Sequence, residues 1–426
     1  MIFTSTRDKS LEVTFSQAIL EGLAPDGGLF VPKNFPNIKL VDFDELETIP
    51  EIAKQFLGYF IDEGDLKENL PAICEKAFSF KIPLIPLDKN THLLELYHGP
   101  TGAFKDVGAR FLAQCLEYID TRRTVLVATS GDTGSAVASA FYGLNNVNVA
   151  ILFPKDKISD FQEMQLTCWD GNIISLKVRS DFDACQKMVK DAFRSDNFVQ
   201  YKLTSANSIN IGRLLPQCVY YVAASLWYSR KHGNNANFII PTGNMGNALA
   251  GIWVKFLGFP IDRIILSCNS NDVIPKYFES NTFESAPSKQ TLANAMDVGN
   301  PSNFERYIDL LNTNNVTSES LQITAFSVDD DRIKTSIFES KKIWNKIICP
   351  HTATATYIQH KQKLDDAIIV ATAHPSKFRE VVEPIIHQQI EIPNDLQKLS
   401  HNPRKFIEID PLLESVAYCL QKFGSI

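Results

Sequence analysis

Lys105 is the residue of this sequence best suited to covalent chemistry. It follows the apolar pair Ala103-Phe104 and precedes an apolar helical segment that contains Phe111 and Leu112. Lysines usually lie in solvent. A partly desolvated lysine holds its proton less tightly, and its amine then becomes a nucleophile for aldehydes. The sequence leaves two interpretations open, a solvated surface lysine and a Schiff-base lysine.

A turn with two glycines, residues 241–247, joins a predicted strand to a predicted helix. Gly243 and Gly246 allow several backbone N–H groups to point toward one place, and the helix N-terminus adds a partial positive charge, so the turn suits a phosphate. It matches neither GxxxxGK[ST] nor GxGxxG, which favours a mononucleotide-sized phosphate over a dinucleotide. A tight turn that needs glycine only for packing remains the alternative.

Two further loops follow predicted strands. Residues 129–135 consist only of Ser, Thr, Asp and Gly and lie at the N-terminus of a predicted helix. They suit binding of a carboxylate or phosphate; the alternative is that they only cap the helix. In the loop 371–377, Thr372 is expected near the carboxyl edge of the sheet, whereas His374 is interpreted as a hydrogen-bonding structural residue. An aldehyde-reactive lysine combined with a phosphate-binding loop on an α/β sheet suggests pyridoxal 5′-phosphate (PLP) as cofactor.

The elements that must position these loops alternate between short apolar strands and helices. Strands are predicted at residues 124–128, 147–153, 172–178, 237–240, 263–268 and 367–371. Helices are predicted at 51–60, 136–142, 182–193 and 211–230; one further helix ends at residue 257, and another begins at about residue 376. This alternation indicates βαβ units and a parallel sheet covered on both faces. Ligands of such sheets bind beyond the carboxyl ends of the strands, which places the chemistry after Ala128, Ile240 and Ala371.

The composition excludes several classes of protein. With 44% hydrophobic and 21% charged residues, the 426-residue chain is typical of a globular protein, and a net charge of −7 argues against nucleic-acid and anionic-membrane partners. No apolar run is long enough to span a membrane, and the first ten residues lack a secretory signal. The eight cysteines include no CxxC pair, and the histidines form no HExxH motif, so we expect reduced thiols, no metal site and a cytoplasmic location.

Taken together in chain order, the motifs resemble the threonine synthase family, PLP enzymes of fold type II in the tryptophan synthase β-like group. The segments that carry the resemblance are residues 17–30, 98–106, 129–134, 140–144, 182–186, 207–213, 294–298, 350–353 and 372–378. The resemblance implies an α/β fold of two αβα lobes with mostly parallel sheets and a smaller N-terminal domain. It divides the chain into an N-terminal domain at 1–85 and a catalytic body at 86–426, with the smaller lobe at approximately 125–205.

The resemblance also implies a lyase reaction, the last step of threonine biosynthesis, in which O-phospho-L-homoserine and water give L-threonine and phosphate. Lys105 matches the family's Schiff-base lysine, and Thr372 matches the partner of the pyridine nitrogen. The implied cofactor contacts are Lys105, Asp132, Gly243, Asn244, Met245, Gly246, Asn247 and Thr372. The implied substrate contacts are Ser130, Gly131, Thr133, Asn207, Ser208 and Arg213. The only partner implied is a small-molecule substrate, and relatives are monomers or homodimers.

Three alternatives remain. A serine/threonine dehydratase-like enzyme would share the fold, but Arg213 and the N-terminal domain argue against it. A non-catalytic PLP-fold binding protein would be expected to lose Lys105 or the glycine turn, and neither is lost. A Schiff-base aldolase of the (β/α)₈ barrel type conflicts with the domain pattern and with a lysine that precedes a helix. The turn departs from the family pattern at Thr242, Met245 and Asn247.

Overall fold

The structure, a computed structural model, describes residues 1–119, 122–156 and 158–423. The strands in this part of the chain are β1 Phe3–Ser5, β2 Glu12–Val13, β3 Phe30–Pro32, β4 Leu84–Pro86, β5 Thr91–Glu95, β6 Arg123–Ala128, β7 Val147–Pro154, β8 Ile173–Val178, β9 Leu203–Thr204, β10 Ala236–Pro241, β11 Ile261–Cys268, β12 Ile323–Ser327, β13 Ala367–Ala371 and β14 Ile407–Ile409. They form three sheets.

The α-helices are α1 Phe15–Glu21, α2 Ile49–Gly58, α3 Gly64–Ala77, α4 Lys105–Glu117, α5 Asp132–Phe141, α6 Asp160–Thr167, α7 Phe182–Arg194, α8 Ile211–Leu214, α9 Cys218–His232, α10 Gly246–Phe256, α11 Val273–Ser280, α12 Phe304–Asn314, α13 Asp330–Trp344, α14 Pro350–Gln362, α15 Arg379–Ile386, α16 Asn394–Leu399 and α17 Leu413–Phe423. Shorter 3₁₀ turns lie at Leu40–Phe43, Asp196–Tyr201, Leu215–Gln217, Asn294–Met296 and Pro375–Phe378. Among the described residues, no helix combines the length and the apolar character needed to cross a membrane.

The two larger sheets are built mainly from parallel strands. The six-stranded sheet has the order β12-β11-β10-β13-β5-β4, in which only the pairing of β4 with β5 is antiparallel. The five-stranded sheet has the order β14-β8-β7-β6-β9 and is parallel throughout. Helices lie between consecutive parallel strands, as a crossover connection requires. The predicted α/β fold with mostly parallel sheets is therefore confirmed.

The third sheet is small and lies at the N-terminus. Its strands are antiparallel in the order β2-β1-β3. The buried side chains around it belong to the same apolar core as helices of the catalytic body: Phe35 packs edge-on against Trp253 at 5.2 Å, and Phe43 against Phe259 at 5.3 Å between ring centroids. The N-terminal region is thus fixed on the body by continuous apolar packing.

The helix predicted at 211–230 is divided in the structure. It consists of α8, a 3₁₀ turn at Leu215–Gln217, and α9, which ends at His232. Pro216 is the cause, because proline has no amide hydrogen to donate within a helix and its ring crowds the preceding turn. The side-chain amide of Gln217 donates to the carbonyl of Arg213 at 2.7 Å and so replaces one of the backbone hydrogen bonds that the interrupted helix lacks.

Two other differences concern the C-terminal part. The helix predicted from about Ser376 begins as the 3₁₀ turn Pro375–Phe378 and becomes α-helical only in α15. Strand β14 pairs with β8 and extends the five-stranded sheet, although it lies far from the other strands of that sheet in sequence. All eight cysteines are free and buried, in agreement with the prediction of reduced thiols.

Candidate active site

Lys105 begins α4, directly after a loop that is bonded to the end of β13. The amide of Phe104 donates to the carbonyl of Thr372 at 2.8 Å, so the start of the helix is fixed at the carboxyl edge of the six-stranded sheet. The Lys105 ammonium lies 3.6 Å from Asp132 Oδ2, and its side chain is only 17% exposed. Asp132 begins α5 in the five-stranded sheet's layer. The two residues therefore meet where the two larger sheets come together.

The charges around this pair alter both proton affinities. Burial lowers the pKa of Lys105; Asp132 opposes this effect, and the like charges of Lys377 and Arg213 add to it. Burial alone would raise the pKa of Asp132, but Lys377 and Lys105 outweigh burial and hold the pKa of this carboxyl well below its ordinary value. The site thus combines a permanently ionised carboxylate with a lysine that gives up its proton more readily than a surface lysine.

Sequence reasoning assigned no role to Lys377, which lies in this cluster. Its Nζ is fully buried, 3.2 Å from Asp132 Oδ1, and donates to Gln165 Oε1 at 2.6 Å and to the Thr101 carbonyl at 2.8 Å. A single sequence offers little to distinguish this lysine from a surface one, except its position just after the buried strand β13.

The glycine turn, residues 241–247, lies between β10 and α10. Met245 is buried with φ 59° and precedes the helix, so successive N–H groups at the helix start turn in a left-handed arrangement that suits an anion. Gly243 packs against the backbone of Met296, where an added Cβ would come within 2.6 Å of Cα. Asn244 donates to Ser208 Oγ at 2.6 Å. The side-chain oxygen of Asn247 accepts hydrogen bonds from two buried tyrosine hydroxyls on α9.

Thr372 follows β13, the neighbour of β10 in the sheet, so its loop lies beside the glycine turn. The Thr372 hydroxyl oxygen is buried and has no hydrogen-bond partner among the described residues. Its amide donates to Thr352 Oγ1 at 3.3 Å, which fixes the backbone while leaving the hydroxyl available. An unpaired buried hydroxyl is costly in a folded chain. This one fits a heteroaromatic nitrogen of a bound cofactor.

The loop after β6 turns sharply before α5. Gly131 has φ 134°, and an added Cβ would lie 2.6 Å from the Gln162 side chain, so only glycine fits here. Thr129 Oγ1 accepts from the amides of Gly131 at 3.0 Å and Gly134 at 2.9 Å, which supplies part of the helix capping that sequence reasoning offered as an alternative. Ser130 is exposed and Thr133 partly exposed. Both residues lie at the N-terminus of α5, where a carboxylate is favoured.

Arg213 is buried, and its guanidinium donates to the backbone carbonyls of Ala206 and, at 3.4 Å, of Lys105. Its Nε is buried without a hydrogen-bond partner in the described part of the chain. Asn207 donates to the Ala128 carbonyl at 3.1 Å, which places residue 207 at the end of β6. Burial lowers the pKa of Arg213 to about 10, so this cation persists at neutral pH.

Arg306 is a second buried arginine that sequence reasoning missed. It donates to the carbonyls of Phe30 at 3.0 Å, Ser208 at 3.2 Å and Ile209 at 2.6 Å. It thereby fixes the loop with Ser208 to the N-terminal sheet. Its helix α12 looks amphipathic in sequence, so nothing there distinguishes Arg306 from a surface arginine.

Two histidines lie close to the cluster and stay neutral. His374 accepts from the Ser376 amide at 3.2 Å and caps the following 3₁₀ turn, which confirms its interpretation as a structural residue. His351 Nε2 accepts from the Ala295 amide at 3.1 Å. Burial lowers the pKa of each histidine to about 4. Within the described residues, no group of three or more His, Cys, Asp and Glu side chains could hold a metal ion.

Family models match almost all of the chain. A model described as "Pyridoxal-phosphate dependent enzyme" covers residues 81–370. Models described as "Threonine synthase N terminus" and "Threonine synthase, C-terminal" cover residues 2–78 and 351–418. The last match extends beyond Phe378, where the motif resemblance ended.

Curated relatives agree with the family models. The threonine synthase of Haemophilus influenzae is 42% identical over 410 residues, which cover 94% of both chains. The chain belongs to the threonine synthase family. The threonine synthase of Escherichia coli is 38% identical over 422 residues, 96% of this chain and 98% of that one. The predicted family, the enzyme class of PLP-dependent lyase and the PLP cofactor are thereby confirmed.

Solved threonine synthase structures share the complete architecture. The E. coli structure superposes with a TM-score of 0.91 at 36% identity and covers 99% of this chain and 100% of its own. A PLP-bound threonine synthase from Brucella melitensis gives a TM-score of 0.93 at 29% identity, with both chains fully covered. The predicted fold type II architecture is therefore confirmed over the whole chain.

Proposed function

We propose that this threonine synthase acts on O-phospho-L-homoserine and water to give L-threonine and phosphate, with Lys105 as its Schiff-base lysine. One observation carries the assignment: the Lys105 amine lies at the carboxyl edge of the sheet, 3.6 Å from the ionised Asp132, and its side chain is only 17% exposed. Its lowered pKa favours the uncharged amine that attacks an aldehyde.

The chain's own residues fit the cofactor at three points. The N–H groups from Gly243 to Asn247 suit its phosphate. The turn leads into α10, and Met245, which directly precedes this helix, has a left-handed backbone conformation. The unpaired Thr372 hydroxyl suits the pyridine nitrogen. Asp132 would face the ring oxygen next to the aldehyde carbon, and its position beside Lys105 fits that role. When bound, PLP supplies an electron sink for carbanions at the substrate's α and β carbons.

The substrate is proposed to bind with its two ends on different lobes. The hydroxyls of Ser130 and Thr133 and the backbone of Gly131 would hold the carboxylate at the start of α5. Asn207, Ser208 and Arg213 would hold the phosphate, and an arginine can do so through two parallel hydrogen bonds. The Arg213 guanidinium donates to two backbone carbonyls, and its further N–H donors, among them the unpaired Nε, would be available to the phosphate.

Lys105 is then the proton carrier of the reaction. With the substrate amine in its place, the freed ε-amine of Lys105 would take the proton from Cα and, after releasing it, a second proton from Cβ as phosphate leaves from Cγ. Asp132 stays ionised throughout, because its pKa is held low by both lysines after the opposing effect of burial. Protons are then returned at Cγ and at Cα, while water adds its hydroxyl at Cβ and its remaining proton goes to the departing phosphate, which completes threonine.

The remaining expectations concern the molecule's organisation. We propose the division into 1–85 and 86–426, with the smaller lobe near 125–205 extended by β14 and α17, which pack on the same sheet layer. A monomer or homodimer in the cytoplasm remains our expectation, and the buried free thiols are compatible with a reducing compartment.

Product analysis tests this proposal. Purified protein with PLP is incubated with O-phospho-L-homoserine, and phosphate, threonine and 2-oxobutyrate are quantified. We expect phosphate and threonine in equal amounts and no 2-oxobutyrate. Phosphate accompanied by 2-oxobutyrate would indicate the dehydratase-like alternative, and the absence of turnover would reject this substrate.

A further inference from the structure

Lys377 occupies an unusual position for a lysine. Its ammonium is completely buried and has three oxygen partners: Asp132 Oδ1 at 3.2 Å, Gln165 Oε1 at 2.6 Å and the Thr101 carbonyl at 2.8 Å. An ammonium has three N–H donors, so its hydrogen-bonding capacity is fully used. Burying a charge without such partners is costly, and the three oxygens offset that cost here.

The partners of Lys377 come from both larger sheets. Asp132 begins α5 and Gln165 lies on α6, both in the layer of the five-stranded sheet, whereas Lys377 and Thr101 follow strands of the six-stranded sheet. Lys377 and Lys105 contact different oxygens of the Asp132 carboxylate, Oδ1 and Oδ2 respectively, so one carboxylate pairs with both ammonium groups.

Charged groups on three elements and a neutral histidine on a fourth face the Lys105 nitrogen. Asp132 attracts its proton, whereas the like charges of Lys377 and Arg213 repel it. His351 on α14 also faces the cluster, but burial keeps it neutral. Lys377 thus affects Lys105 in two ways, through direct repulsion and through its hold on the Asp132 carboxylate.

We propose that Lys377 is a positioning residue for the chemistry of Lys105: its ammonium fixes the Asp132 carboxylate toward Lys105 and sets the electrostatic balance under which the Lys105 nitrogen exchanges protons. The inference rests on the proposed function only for the identity of the Schiff-base lysine. It requires no contact between Lys377 and the substrate.

The test is a pH titration of the Schiff-base absorbance of the PLP-loaded protein, which requires no turnover. Lys377→Met removes the charge and keeps most of the volume. Without the repelling cation, the Schiff-base nitrogen should hold its proton more tightly, so the midpoint should move up by about one pH unit. Lys377→Arg keeps the charge and should titrate near wild type. Lys346→Met is the matched control, because Lys346 also pairs with a buried carboxylate, that of Glu95, outside the cluster.

A second pair of variants separates electrostatics from folding. Asp132→Asn should move the midpoint down, because it removes the attracting anion. The double variant Lys377→Met/Asp132→Asn buries no unpaired charge and should titrate between the two single variants. Midpoints that stay at the wild-type value in Lys377→Met, or that shift equally in Lys346→Met, would overturn the proposal. A wild-type protein that shows no Schiff-base absorbance would instead reject the proposed function.

Discussion

Lys105 Nζ lies 3.6 Å from Asp132 Oδ2, although the two residues begin helices that belong to different sheets. Each helix starts just beyond the carboxyl end of a parallel strand or a loop bonded to one, so the two helix starts converge. The pairing lowers the energy of burying both charges. It also leaves the amine beside an acceptor that stays ionised, which is the arrangement a proton-transferring lysine requires.

Replacing Thr372 by Val should weaken PLP binding without harming the fold. The hydroxyl oxygen has no hydrogen-bond partner among the described residues, so its loss removes nothing from the unliganded chain. We expect a roughly 2- to 10-fold rise in the Kd of PLP, the value of one hydrogen bond, and an unfolding temperature without PLP that does not fall, because an unpaired buried hydroxyl is removed. Fluorescence titration and thermal unfolding measure the two quantities. A lowered unfolding temperature with an unchanged Kd would show a purely structural hydroxyl.

Replacing Arg213 by Met should affect the substrate far more than the cofactor. Loss of a charged hydrogen bond to phosphate predicts a roughly 10- to 100-fold rise in KM, with the Kd of PLP nearly constant. Arg110→Met is the control, because Arg110 also donates to backbone carbonyls, those of Lys76 and Ala77, but does so beside the N-terminal helices. A joint increase of KM and of the PLP Kd in Arg213→Met, or the same rise of KM in Arg110→Met, would mean that the substitution disturbs folding and would contradict a role of Arg213 in substrate binding.

Asn247 should stabilise the glycine turn through Tyr221. Its Oδ1 accepts from the buried hydroxyls of Tyr220 at 2.6 Å and Tyr221 at 2.8 Å. Asn247→Leu leaves the Tyr221 hydroxyl without an acceptor, whereas Tyr220 can still donate to Gln217 Oε1 at 3.3 Å, and the loss should cost about 2 kcal/mol in the free energy of unfolding. Urea unfolding of this variant, of Tyr221→Phe and of the double variant gives the coupling. Strictly additive losses would mean that the bond contributes nothing.

The buried histidines predict a loss of stability in mild acid. Burial lowers the pKa of His351 and of His374 to about 4, whereas the unfolded value is near 6.5. Between these values the unfolded chain binds more protons, so stability should fall as pH decreases, by roughly 2 kcal/mol for each residue at pH 5. Urea unfolding at pH 7, 6 and 5 measures this dependence.

His374→Asn should remove about half of that dependence. An Asn side chain can still accept from the Ser376 amide and cap the turn, but it does not titrate. Stability that stays constant in the wild type from pH 7 to pH 5 would contradict the buried neutral state of both histidines.

The location of the candidate site could be predicted from the sequence, because it depends on local patterns. The strand-turn-helix segments around Ala128, Ile240 and Ala371 are present as expected, and the apolar flanks of Lys105 correctly indicated burial. What a single sequence did not reveal depends on distant partners. Lys377 is buried because Gln165 and Asp132 meet it from another sheet, and strand β14 finds its place only by pairing with β8.

Borohydride reduction of the PLP-loaded protein, followed by peptide mass spectrometry, tests the assignment of the Schiff-base lysine most directly. Lys105 and Lys377 both contact Asp132, so the method must choose between two buried lysines of one cluster. We predict the phosphopyridoxyl label on Lys105 alone, and no label at this site in Lys105→Ala. A label on Lys377, or a reducible linkage that persists at the wild-type level in Lys105→Ala, would contradict the assignment.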